Sequence, residues 1–263
     1  MSAERSDKSQ DDQAKPSAGA LQSTNGANDV ARMIASSKQI AQMSEPTPLT
    51  PAQLNARKLI HSTMSDRKTL ESYREIRTRL LQAANGFNQI VMISSVMPES
   101  GTTHITANLA AAFALDETKT ALLIDCNLHE ARLHELFDIG QQEGLTDYLR
   151  GEVLGLDSII YSTGIPRLRL IPAGTQLATA SEYFTSLRMR AFLDVVKNRY
   201  PDRYIFIDGP STHSADARIL SELCDMTVLV VPYGEAKEAD VDAAIDVVGE
   251  TKVVGVVFNH ISS

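Results

Sequence analysis

Residues 89–113, QIVMISSVMPESGTTHITANLAAAF, decide the fold. The run from Ile90 to Ile93, closed by Ser94 and Ser95, is the continuous apolar pattern of a strand buried on both faces. From Thr103 onward an alanine-rich run predicts a helix whose first turn sits beside Gly101. Strand, small-residue loop and helix N-terminus in that order form a phosphate cradle, because unpaired backbone N–H groups and the positive end of the helix dipole converge on the loop. The geometry is that of a P-loop, but the chemistry departs from it. A working loop carries G-x-x-x-x-G-K-[ST], in which the lysine neutralises phosphates and the hydroxyl holds magnesium. Over residues 96–103 this chain keeps Gly101 and Thr103, has Val96 for the first glycine and Thr102 for the lysine, and adds the charge of Glu99. An ion pair at ~4 Å contributes roughly 4 kcal/mol gross at an effective dielectric of about 20, so losing the lysine weakens triphosphate binding by up to about three decades before desolvation is subtracted. Two readings follow: a P-loop fold with degraded nucleotide chemistry, or a helix-opening loop that never met a phosphate.

The length of 263 residues suits one sizeable α/β core plus a tail. A net charge of −8 argues against non-specific nucleic-acid binding, which needs a basic surface. Cys126 and Cys224 are the two cysteines; they form no CxxC pair, so they are expected in the core and the cytosol is the default compartment. No apolar run approaches the ~18 residues of a membrane span, and the start lacks the hydrophobic segment of a secretory signal. Any membrane role is therefore expected through a partner.

Residues 1–50 are poor in large apolar side chains and are expected to form a disordered arm, with a short helix conceivable over 28–41. Residues 51–88 form a helical lead-in, and residues 89–263 the P-loop-like domain. Thr50 and Pro51 match an N-cap and first helical position. The helix over 66–84 carries Leu70, Tyr73, Ile76, Leu80 and Leu81 on one side, while Glu71, Arg74 and Arg77 recur every three residues. Taken alone, that charged row fits a solvated face better than a contact with a neighbouring subunit.

Further strands are expected at 120–125, 167–171, 204–208, 226–231 and 253–258, six in all, alternating with helices around 128–137, 181–200 and 235–248 and a short helical turn at 144–149. Alternation of this kind gives a mostly parallel sheet covered on both faces. Two strands end in acids, Asp125 and Asp208, at the sheet edge where ligands bind. His129 and His134 are five apart, so they do not face a common metal and are expected as surface or local polar residues.

Together, the Glu71-x-x-Arg74-x-x-Arg77 row, PESGTTHITANLA, LLIDCNLHEARLHELF, GLTDYLRGE, IPAG and YIFIDGP, in this order across roughly residues 66–259, resemble the cytoplasmic domain of the bacterial tyrosine kinases (BY-kinases). These partner polysaccharide co-polymerases, and the likeness is greatest to the branch found in exopolysaccharide loci. The resemblance implies that Glu71, Arg74 and Arg77 contact adjacent subunits in a homo-oligomer. It also implies that Gly101, Thr102, Thr103, Asp125 and Asp208 occupy the nucleotide-binding positions, with Thr103, Asp125 and Asp208 at the magnesium.

The departures matter as much. Where the family has P-G-E-G-K-[ST]-T, this chain has Pro98-Glu99-Ser100-Gly101-Thr102-Thr103-His104. Where the family has D-x-D-x-R, it reads Asp125-Cys126-Asn127-Leu128-His129. The tyrosine-rich tail is not seen after Tyr233. The resemblance then implies a pseudokinase with no catalytic residue, weakened ATP and magnesium binding, and a regulatory or scaffolding role in exopolysaccharide biosynthesis and export. Its expected partner is an inner-membrane co-polymerase or chain-length regulator, with no nucleic acid involved. The alternatives are an active ATP-dependent protein-tyrosine kinase of the same pathway and a partitioning-type P-loop ATPase.

Overall fold

The apolar runs become strands because parallel strands buried on both faces need no polar alternation. The computed structural model describes residues 45, 47–176, 180–199 and 202–259. The arm up to residue 44, with the helix expected over 28–41, and the last four residues lie outside them. In chain order the helices are α1 (Pro51–Ala56), α2 (Arg67–Ala83), α3 (Thr102–Ala114), α4 (Leu133–Leu136), α5 (Leu145–Arg150), α6 (Ala180–Phe184), α7 (Leu187–Arg199), α8 (Ala215–Leu223) and α9 (Glu238–Val248). The strands are β1 (Ile90–Ser95), β2 (Thr120–Asp125), β3 (Tyr161–Ser162), β4 (Leu168–Ile171), β5 (Arg203–Asp208), β6 (Met226–Pro232) and β7 (Val253–Asn259).

The sheet order is β3-β4-β2-β5-β1-β6-β7, with every pairing parallel except β3 with β4. The expected sheet is therefore present with a seventh strand added, a two-residue antiparallel edge that carries no apolar run. One layer of core lies against α2 and α3, built on Val91, Ile93, Phe113 and Phe206. The other, built on Met92, Leu122, Phe192 and Leu229, takes in Leu220 of α8 and Val248 of α9. Alternate residues of β1 thus serve opposite layers, each fully buried side chain contributing about 1.5–3 kcal/mol of apolar transfer. Cys126 and Cys224 are both buried. Three expectations change in detail: the helix over 128–137 shrinks to α4, the single helix over 181–200 is two, α6 and α7, and α8 lies between β5 and β6 where no helix was expected.

The lead-in is tied down locally and at long range. Thr50 caps α1 in a capping box with Gln53. After α1 the chain turns through Lys58 at φ +53°, and buried Asn108 of α3 holds that turn by accepting from Ile60 N at 2.7 Å and donating to Lys58 O at 3.1 Å. Upstream, Glu45 accepts from Arg169 Nη1 at 2.7 Å, from the Ser162 hydroxyl and from Gly164 N at 3.3 Å. At the opposite rim, β7 is an edge strand without a charged residue, and Val254, Val256 and Phe258 on it are exposed.

Candidate functional site

The loop between β1 and α3 has kept a phosphate cradle's backbone. Gly101 sits at φ +79° as the residue before α3, so the first N–H groups of a thirteen-residue helix open onto the loop. Glu99 lies at φ +58°, a left-handed conformation that a glycine takes freely and a side chain takes at a cost of about 1–2 kcal/mol. That is the position where the family pattern has its glycine, so the loop holds a glycine's shape with a glutamate in it. Ser100 pins the turn by donating from Oγ to Met97 O at 2.7 Å, and Asn259 at the end of β7 donates to Ser100 O at 2.8 Å.

A cleft of about 960 Å³ opens over this loop, a size that suits a nucleotide. Gly101, Thr102 and Thr103 form part of its wall, joined by Asn127 and His129 after β2, by Gly209, Pro210 and Ser211 after β5, and by Arg57, which follows α1. The charges on the wall are mostly negative: Glu99, Glu130, Glu135 and Asp138 against Arg57 and Arg132. His104, also on the wall, has its pKa lowered by burial and by the nearby Lys58 charge. His129 reaches Asp216 at 3.5 Å across to the start of α8.

Asp125 and Asp208 are opposite each other in register on β2 and β5, buried and outside the cleft wall. Asp125 accepts from Leu133 N at 3.1 Å and from Asn127 N at 3.3 Å, so both its oxygens are engaged by its own loop. Asp208 Oδ1 accepts from Thr106 Oγ1 at 3.2 Å, while its Oδ2 is buried with no hydrogen-bond partner among the described residues. Burial raises the pKa of both carboxyls; for Asp125 the neighbouring Asp208 charge adds to the rise, and for Asp208 the hydroxyls of Thr103 and Thr106 oppose it.

These residues fit a magnesium nucleotide in part. The cradle's N–H groups at Gly101, Thr102 and Thr103 would take the phosphates, and the Thr103 hydroxyl on the wall would reach a cation, with Asp208 buried behind it rather than lining the cleft. The wall charge does not fit, since Thr102 brings no cation. Among the described residues no group of three His, Cys, Asp or Glu side chains is placed to hold a metal.

The three expected assembly residues lie on α2. Glu71 and Arg74 pair with each other at 2.7 Å. Arg77 donates from Nη1 to Ala112 O at 2.9 Å, inside its own chain. Sequence reasoning missed Arg57, Arg132 and His104 on the wall. The only trace of Arg57 was its place just after a capped helix, which says nothing about where that helix docks.

The tyrosine-protein kinase CpsD of Streptococcus agalactiae is 30% identical over 200 residues, covering 74% of this chain and 84% of that protein. The chain belongs to the bacterial tyrosine kinase family. The tyrosine-protein kinase ptk of Acinetobacter johnsonii is 28% identical over 201 residues, but the chain spans only 27% of that protein's length. Among solved structures, the BceF tyrosine kinase domain superposes with a TM-score of 0.67 at 26% identity, over 82% of this chain and 92% of that one. No protein-family model matches the chain. Among the described residues of this kinase-family member, no helix is long and apolar enough to cross a membrane.

Proposed function

We propose that this bacterial tyrosine kinase homologue is a non-catalytic regulator or scaffold of exopolysaccharide biosynthesis and export, acting by contact with an inner-membrane polysaccharide co-polymerase. The carrying observation is the charge of the cleft wall: Thr102 stands where the phosphate-neutralising lysine belongs, and carboxylates outnumber guanidinium groups. Phosphoryl transfer depends almost entirely on positioning and on neutralising the charge of the transferring group, so a wall of the wrong sign removes most of its stabilisation. The polysaccharide pathway, the co-polymerase and oligomerisation through Glu71, Arg74 and Arg77 are supported by the motif order set out above.

The purified chain incubated with ATP, magnesium and a tyrosine-containing substrate is expected to yield no phosphotyrosine. Phosphotransfer that disappears in Asp125→Asn would overturn the non-catalytic reading. Restoring the cation with Thr102→Lys is expected to tighten nucleotide binding by about tenfold or more, since the loop already has the right backbone. One observation favours the second reading, an active kinase: a cation from outside the loop, Arg57, stands on the cleft wall.

A further inference from the structure

We infer that Arg57 is the phosphate-contacting cation of this cleft, supplied by the lead-in in place of the P-loop lysine, and that its ligand is a nucleoside di- or triphosphate. The inference rests on the reading of the cleft as an inherited nucleotide pocket, and it separates binding from phosphoryl transfer.

Three observations carry it. Arg57 shares the cleft wall with Gly101, Thr102 and Thr103, although it lies more than forty residues upstream. Among the described residues its guanidinium is weakly satisfied: Nη1 is enclosed without a hydrogen-bond partner, and Nη2 pairs with Asp138 at 3.7 Å. That distance is beyond a hydrogen bond, and the Asp138 side chain is 85% exposed, so water screens the attraction. The Arg57 side chain is 21% exposed, so a phosphate in the cleft would meet it first through Nη2 and draw on the charge of the whole guanidinium. Third, the position of Arg57 is built rather than incidental. Asn108 clamps the turn at Lys58 and Ile60 onto α3, the helix whose N-terminus forms the cradle. Asn108 is buried; its oxygen accepts from that turn, and its amide nitrogen is shared between Lys58 O in the turn and His104 O in its own helix.

The carboxylates on the wall make the affinity modest and its dependence on Arg57 steep, because few other cations offset the phosphate charge. Binding would also draw on the segment that leads into α2. Nucleotide occupancy is thereby coupled to the helix that carries Glu71, Arg74 and Arg77.

The test is a titration of the full chain with the fluorescent N-methylanthraniloyl derivative of ADP and magnesium, with inorganic tripolyphosphate as competitor. The unaltered chain is expected to bind saturably and to release the probe to tripolyphosphate. Arg57→Gln is expected to weaken binding by about tenfold or more, Arg57→Lys by less, and Asp138→Asn to tighten it about two- to fivefold. In a Thr102→Lys background the Arg57→Gln loss should shrink to about threefold or less, since a second cation then shares the phosphates. Thermal unfolding of each variant reports whether it folds; if Arg57→Gln does not, Arg57→Lys and Asp138→Asn decide the matter. No binding by the unaltered chain overturns the inference, as does Arg57→Gln binding like the parent. An Arg57→Gln loss undiminished by Thr102→Lys also overturns it, by assigning Arg57 to shaping the cleft. If the chain binds through Arg57 and also transfers phosphate to tyrosine, the inference stands and the non-catalytic reading falls.

Discussion

Glu99 is the residue at which inheritance and present chemistry pull apart. Its φ of +58° is retained because the loop is held on either side by the Ser100 contacts with Met97 and Asn259. Glu99→Gly is expected to raise stability by about 1 kcal/mol, through relief of left-handed strain, and to remove one carboxylate from the wall. Urea denaturation checks the first and a nucleotide titration the second. Behind the cleft, burial pushes the Asp208 carboxyl up to about 7. A carboxyl whose folded pKa exceeds its unfolded value near 3.8 contributes stability that is fully present below that value and is lost as pH rises through about 7. Asp208→Asn, neutral throughout, is therefore expected to be more stable than the parent at pH 8 by roughly a few kcal/mol, with the gap closing by about pH 4. Denaturation curves at the two pH values measure it; a gap that widens on acidification refutes the assignment.

Helix α3 is finished at both ends by other parts of the chain. Its N-terminus opens on the cradle, while near its C-terminus Arg77 donates to Ala112 O at 2.9 Å and Arg167 Nε donates to Ala114 O at 3.0 Å. Both guanidinium groups meet carbonyls of the last turn, at the negative end of the helix dipole. Arg77→Ala is expected to cost about 1–2 kcal/mol and to lower the unfolding temperature by about 4 °C. Arg74→Ala should change stability by about 0.5 kcal/mol or less, because its partner Glu71 is exposed. A thermal melt separates the two, and it follows that Arg74, rather than Arg77, is the cleaner probe of the proposed subunit contacts. At this scale the strands were legible in advance because burial on both faces leaves an unbroken apolar run. β3 was not, since Tyr161 and Ser162 pair only because β4 is beside them. α8 was overlooked because SADARILSEL shows only a short apolar side, and the break between α6 and α7 falls in a stretch without glycine or proline. The cradle residues were legible from their spacing, whereas Arg57 was not: its placement depends on Asn108, forty-eight or more residues away in sequence.

Across the whole molecule the two rims of the sheet are treated differently. Among the described residues no strand pairs with the outer side of β7, where Phe258 meets Tyr233 edge-on at 6.4 Å. At the β3–β4 rim the chain just ahead of the lead-in is held at two points, Glu45 by Ser162, Gly164 and Arg169, and Leu49, whose N donates to Gly164 O at 2.8 Å, although this stretch was expected to belong to the disordered arm. The lead-in that follows presents Arg57 at the cleft, so neighbouring stretches fasten a rim and furnish the pocket.

That strap sets where the protein can be shortened. The Glu45 carboxylate is almost wholly enclosed and is the partner of Arg169, whose side chain is itself mostly enclosed. Trimming the chain just after Glu45, as a glance at its unpatterned opening invites, would strand a positive charge in a place water scarcely reaches. A shortened version meant for crystallisation or binding work should therefore begin ahead of that glutamate, or carry a neutral residue at Arg169 as compensation.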